Sequence, residues 1–247
     1  MKKDDTTMVE TIEQPEQINS ESPTGLKILW REIVRDKVAL ISLIFIVLIT
    51  TIVFGVSLIL DQDQIVKVDL LSIHQPPSDE FILGTDYGGR DVFGQLIIGT
   101  RNSLAIGFLV TLMTGVFGII YGLTAGYFGG HVDNILMRIL DFMMVLPFLM
   151  IVIVFVALVP KYSVWTFSLI MTAFLWMGIA RLIRSKTLAE KELDYVQASK
   201  TLGSSNLKIM FTQVLPNLSS IIIVNMTLNL AANIGLESGL SFLGFGF

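Results

Sequence analysis

Long runs without charge constrain this chain more than anything else in it. Val38–Leu60 carries 23 residues free of Asp, Glu, Lys and Arg, Ser103–Phe128 carries 26, and Phe142–Pro160 and Tyr162–Ala180 carry 19 each. A helix rises about 1.5 Å per residue, so about 20 apolar residues cross a hydrocarbon core about 30 Å thick. Ile209–Leu236 is also free of charge, but Pro216 and Asn217 interrupt it and place the start of a fifth span near Leu218. The expectation is an all-α membrane protein with five transmembrane helices, at 38–60, 103–128, 142–160, 162–180 and 218–236.

Composition narrows the chemistry. Of the 247 residues 53% are hydrophobic and only 15% charged, which does not fit a soluble globular domain. Cysteine is absent, which removes disulfides, thiolate metal sites and a cysteine nucleophile. A net charge of -4, with no basic stripe interleaved with aromatics, offers no nucleic-acid surface. His74 and His131 fall in loops on opposite sides and form no metal or triad pattern, so an intramembrane enzyme is disfavoured and no catalytic, cofactor or metal residue is expected.

Residues 1–24 are rich in acids, Thr and Gln and lack apolar patterning, so they read as a disordered tail ahead of a membrane domain at 25–247. Lys2 and Lys3 are followed by acids rather than an apolar run, so no cleavable signal peptide is expected. Twelve of the 17 Lys and Arg residues lie in 1–37 and 181–218, which share one side if the chain crosses five times. The positive-inside rule then puts the N-terminus and the 181–217 loop in the cytoplasm of a multi-pass protein of the cell (inner or plasma) membrane.

Gly118, Gly122 and Gly126 recur every fourth residue, which gives one helix face for close backbone approach. Pro147 removes a helical hydrogen bond and is expected to bend the third span, as a plain kink or as a gating hinge. Leu83–Gly94, with turn glycines among Asp86, Arg90 and Asp91, reads as an ordered outer cap, either a solvated loop or a docking surface. Arg138 and Asp141 are spaced to pair at i, i+3 beside Asp133, and Glu237 is an ionisable group at the outer boundary of the fifth span.

The loop from Leu182 to Leu215 alternates apolar and charged residues, with Leu193, Val196, Leu207, Ile209, Met210 and Phe211 among the former. Gly203-Ser204-Ser205-Asn206 separates two helical stretches, which predicts a helix–turn–helix. Such a hairpin can carry a mechanical input to the spans; the same pattern would also suit a hairpin resting on lipid.

At this loop the sequence resembles the membrane subunits of ATP-binding-cassette importers. Their signature is Glu-Ala-Ala, three residues, Gly, nine residues, Ile, one residue, Leu-Pro. Here it reads Gln197-Ala198-Ser199, Gly203, Gln213, Val214, Leu215-Pro216 at the same spacing, preceded by Asp194 and Tyr195 and followed by Asn217. The glutamate, the second alanine and the isoleucine are replaced. Leu83-Gly-Thr-Asp, Gly89-Arg-Asp-Val-Phe, Arg101-Asn-Ser-Leu, Ala125-Gly-Tyr-Phe-Gly-Gly, Asp133, Met137-Arg138, Ala180-Arg181 and Glu237 with Leu240-Ser-Phe-Leu-Gly are similar to the C-type branch of oligopeptide and dipeptide permeases.

The resemblance covers Gly25–Phe247. It implies a peptide-importing permease subunit with a homologous second permease, two ATPase subunits and an extracytoplasmic solute-binding protein. ATP and Mg would be bound by the ATPases, in keeping with the lack of a Gly-x-x-x-x-Gly-Lys-Ser/Thr loop here. Asp194, Tyr195, Ala198, Gly203, Leu215, Pro216 and Asn217 would form the ATPase-coupling loop. In that branch a sixth helix follows Leu-Ser-Phe-Leu-Gly, so the expectation is a C-terminus shortened relative to it. Nickel or another small solute remains open as cargo. An ion-coupled secondary transporter is opposed by the charge-free first four spans, and a non-transporting membrane scaffold remains as a further alternative.

Overall fold

The computed structural model describes residues 34–159 and 163–246, whose regular elements are helices, with one isolated bridge between Thr85 and Asp91 in the irregular segment before Val92. The tail expected at 1–24 lies outside the described residues. Helix α1 (Lys37–Ser57) starts where the Asp36 carboxylate accepts from the N–H groups of Val38 and Ala39. Only Val53 and Ser57 of α1 are buried, as befits a helix whose apolar surface faces lipid.

A four-residue helix α2 (Gln62–Ile65) and a loop lead to α3 (Val92–Phe128), capped by Asp91. At 37 residues α3 is about 55 Å long, well beyond one bilayer crossing. It begins at Val92 rather than at Ser103, where the charge-free run starts. Arg101 does not end the helix, because its guanidinium donates to Gln62 (2.9 Å) and Asn102 (3.0 Å) in the N-terminal part of α3.

The third expected span is two helices, α4 (Gly130–Val145) and α5 (Phe148–Leu158), bent by 77° at Leu146–Pro147. Leu146 is extended, as the residue before a proline prefers, so the helix stops there. The 11 residues of α5 reach about 16 Å and cannot cross alone. The fourth is α6 (Val164–Leu175) and α7 (Met177–Glu190), bent by 46° at Trp176. There the indole N–H takes the Ala173 carbonyl and the ring packs against Phe117 and Tyr121 of α3. Helix α7 runs past Ala180 into the basic segment.

Helices α8 (Asp194–Thr201) and α9 (Asn206–Ile209), a π-helical stretch (Met210–Val214) and the turn α10 (Leu215–Asn217) precede α11 (Ser219–Phe242). Among the described residues α1, α3 and α11 are each long and apolar enough to cross a membrane, and the two bent pairs bring the number to as many as five.

Helix α3 is the central post. An added Cβ at Gly118, Gly122 or Gly126 would meet the α7 backbone, at Trp176 O (2.9 Å), Ala180 O (2.3 Å) and Arg184 O (2.7 Å) respectively, so the glycine stripe serves close packing. Against α11 the same helix presents Gly107 under Ile234 and Gly115 under Met226, and Asn233 donates to Thr111 (2.9 Å) in a buried bond. Asp141 pairs with Arg181 and Asp133 with Arg184, tying α4 to α7; the local Arg138–Asp141 pairing is not the one formed. Distant helices supply better-placed guanidinium groups than the neighbouring turn does.

The polar segment before α3, a cap over its N-terminal end, is held by polar geometry. Asp86 accepts from the N–H groups of Gly88 (2.7 Å) and Arg90 (2.9 Å) and from the Gln95 amide (3.2 Å). Burial raises the Asp86 carboxyl, but these donors and the Arg90 charge together hold it below its ordinary value. Gly89, at φ 72, passes so near Asp69 that a Cβ would lie 1.8 Å from its carbonyl oxygen.

Candidate functional site: the helical hairpin at 190–218

The hairpin forms for local reasons. Asp194 lies in the first turn of α8 and Lys200 in the last, both favourable to the helix dipole. Gly203, at φ 82, closes α8: its N–H reaches Lys200 O and the Ser204 N–H reaches Ser199 O. A Cβ at Gly203 would meet nothing within 4 Å, so the position is set by backbone conformation and not by crowding. Ser205 then caps α9.

Val196, Ile209, Met210 and Val214 are buried with Leu123 of α3, Ile179 and Ile183 of α7 and Leu218. One apolar face is thus consumed by packing against α3 and α7. Polar bonds fasten its edges. Lys191 donates to Gly126 O (2.9 Å) at the end of α3, and the Tyr127 hydroxyl donates to Asn206 (3.2 Å). The Tyr195 hydroxyl donates to Glu190 and accepts from the Asn217 amide, both at 2.5 Å. Burial, then the Glu190 carboxylate, raise the Tyr195 phenol above its ordinary value, so it keeps its proton at neutral pH.

The second arm leads into α11 through the π-helical stretch, where Leu215 N–H bonds Met210 O immediately before Pro216, which has no N–H to give. Leu218 follows with ψ near zero and breaks the line before α11.

Of the residues expected to couple, the structure brings Tyr195 and Asn217 into contact and puts Gly203 at the tip. Asp194, Ala198 and Pro216 are exposed, while Leu215 packs at the edge of the core. Glu190, Lys191, Ser199 and Gln213 also build the hairpin and were not singled out. Their bonds span 5 to 65 positions, so only Ser199 and Gln213, as departures from the signature, carried a signal. Glu237 faces the protein interior: it is 1% exposed in α11, one oxygen accepting from Ser241 and the other buried without a hydrogen-bond partner among the described residues.

The sequence matches the family described as binding-protein-dependent transport system inner membrane component over residues 118–247. It is 50% identical to the oligopeptide transport system permease protein OppC of Lactococcus lactis subsp. cremoris (strain SK11), over 87% of this chain and 74% of the relative. Identity is 39% to the dipeptide transport system permease protein DppC of Bacillus subtilis (strain 168), covering 88% and 67% of the two chains. It is 32% to the glutathione transport system permease protein GsiD of Pectobacterium atrosepticum, covering 88% and 72%. With helices of spanning length, an interrupted hairpin at the expected place and relatives matched over most of their length, the chain belongs to the family of inner-membrane permease components of binding-protein-dependent transport systems.

Proposed function

We propose that this chain is a permease subunit of an ATP-driven importer that moves peptides across the cell membrane. It would work with a homologous second permease, two ATPase subunits and an extracytoplasmic solute-binding protein, with its N-terminus in the cytoplasm. The chain itself carries out no chemistry; ATP and Mg belong to the ATPases. The names of its relatives support peptides as cargo.

The observation that carries the coupling role is the two-sidedness of the hairpin. Its inner face is filled by α3 and α7, while Leu202 and Leu207 at its tip are 86% and 64% exposed and Phe211 is exposed beside them. An apolar rim on a polar, rigidly mounted hairpin fits a groove on a partner. Asp194, Tyr195, Ala198, Gly203, Leu215, Pro216 and Asn217 shape that hairpin, and none reacts. Closure of the ATPases on ATP would push it and alternate access to a path between the two permeases.

The test is purification of the complex in mild detergent with Leu202→Asp and Leu207→Asp. Both side chains point into open surroundings, so the chain itself folds, and the expected result is loss of the ATPases from the purified complex. Retained ATPases with normal uptake would sink the coupling role. Competition for uptake by di-, oligo- and γ-linked tripeptides, with nickel as the unrelated solute, assigns the cargo; competition by nickel alone would sink the peptide reading.

A further inference from the structure

All three departures from the signature make hydrogen bonds. The Gln197 amide donates to Lys191 O (2.8 Å), which an ionised glutamate, lacking an N–H, cannot do. The Gln213 amide donates to the Ser199 hydroxyl (2.7 Å), so the replaced alanine and the replaced isoleucine have become partners across the hairpin. Gln213 sits in the π-helical stretch that leads to α11, and Ser199 sits in α8. Beside them the Glu190–Tyr195–Asn217 bonds join the end of α7, α8 and the end of α10, two residues before α11.

We infer that these bonds form a two-point clasp that makes α8 and the beginning of α11 move as one body, with Ser199, Gln213, Tyr195, Asn217 and Glu190 as its positioning residues. The inference rests on the coupling role proposed above and names how the push reaches a membrane helix. Two features on the page direct the motion to α11. The helix meets α3 through side chains set over glycines, and only Asn233, Glu237 and Leu240 of its residues are buried. The segment joining it to the hairpin contains the π-helical stretch and the break at Leu218, both suited to absorb a change of angle. Without the clasp, the second arm could yield at the π-helical stretch while α8 moved, and the push would be lost.

The pairing makes a sharp demand. The Gln213 carbonyl oxygen is already buried without a hydrogen-bond partner among the described residues. Ser199→Ala would leave the amide nitrogen unsatisfied as well, and Gln213→Ile would set a hydroxyl against a methyl surface. The double replacement restores the apolar contact that the signature describes, so it should do less harm than either single one.

The experiment uses the whole importer in proteoliposomes with its ATPases and binding protein, measuring peptide taken up per ATP hydrolysed. Ser199→Ala and Gln213→Ile are each expected to lower that ratio about threefold to tenfold, with the double variant back near wild type. Tyr195→Phe, which keeps the ring and loses the hydroxyl, is expected to lower the ratio too. Glu190→Gln, which keeps an acceptor, should retain more of it than Glu190→Ala.

Additive losses in the double variant, or a ratio that stays constant while complex yield falls, would overturn the clasp, because a merely structural role changes yield and not stoichiometry. If wild-type complex holds no ATPases, the coupling role itself fails before any variant is compared.

Discussion

Helix α3 meets two partners through glycines, and the two contacts differ in what lies opposite. At Gly118, Gly122 and Gly126 the facing atoms include backbone carbonyls and amides of α7, which cannot rotate out of the way. At Gly107 and Gly115 they are side-chain atoms of Ile234 and Met226 on α11, which can. The first contact is fastened by Lys191, just past α7, on Gly126 O, and α7 is itself held to α4 through Asp133–Arg184 and Asp141–Arg181. The second has the single Asn233–Thr111 bond. Glycines thus build one stiff joint and one compliant joint on a single helix, and compliance is what a moving membrane helix needs.

The comparison breaks most easily at the stiff joint. Gly122→Val puts a branched side chain against the Ala180 carbonyl, and a loss of about 3 kcal/mol or more is expected, read as a lowered Tm and loss of monodisperse protein. Gly115→Ala meets only the Met226 thioether and should cost about 1 kcal/mol, recovered in part when Met226→Val makes room. Equal losses at the two glycines would show that the joints do not differ in stiffness.

The smallest effect belongs to the cap before α3, away from both joints. Asp86 has a folded pKa below its ordinary value, so its contribution is present above the ordinary aspartate range and lost as pH falls through the lowered value. Pepsin cleavage within 72–91 should therefore rise below about pH 4, with Tm of the spans nearly unchanged. In Asp86→Asn that rise should disappear, the cap being looser at every pH.

Much of this was legible in the sequence. Charge-free runs located α1 and α11, the four-residue glycine spacing gave the α3–α7 face, and Pro147 and Gly203 marked a bend and a turn where they occur. What stayed hidden depends on distant partners. Arg101 sits inside α3 because Gln62 and Asn102 receive it, and the bend at Trp176 goes with aromatic rings on another helix. Asp133 and Asp141 find arginines 51 and 40 positions away, which no local spacing rule reaches. At the hairpin, the signature positions gave the outline, while the side chains that close it were visible only as mismatches.

Helix α3 carries the cap at one end, where Ile65 lies under Gly94, and the hairpin at the other, where Lys191 and Asn206 meet its last turn. A single helix about 55 Å long therefore runs from the cap to the hairpin. If it tilts about a point within the bilayer, its two ends swing in opposite directions, as the arms of a seesaw do. A displacement at the cap and one at the hairpin would then be read by the same rod, with no chain of intermediate contacts between them.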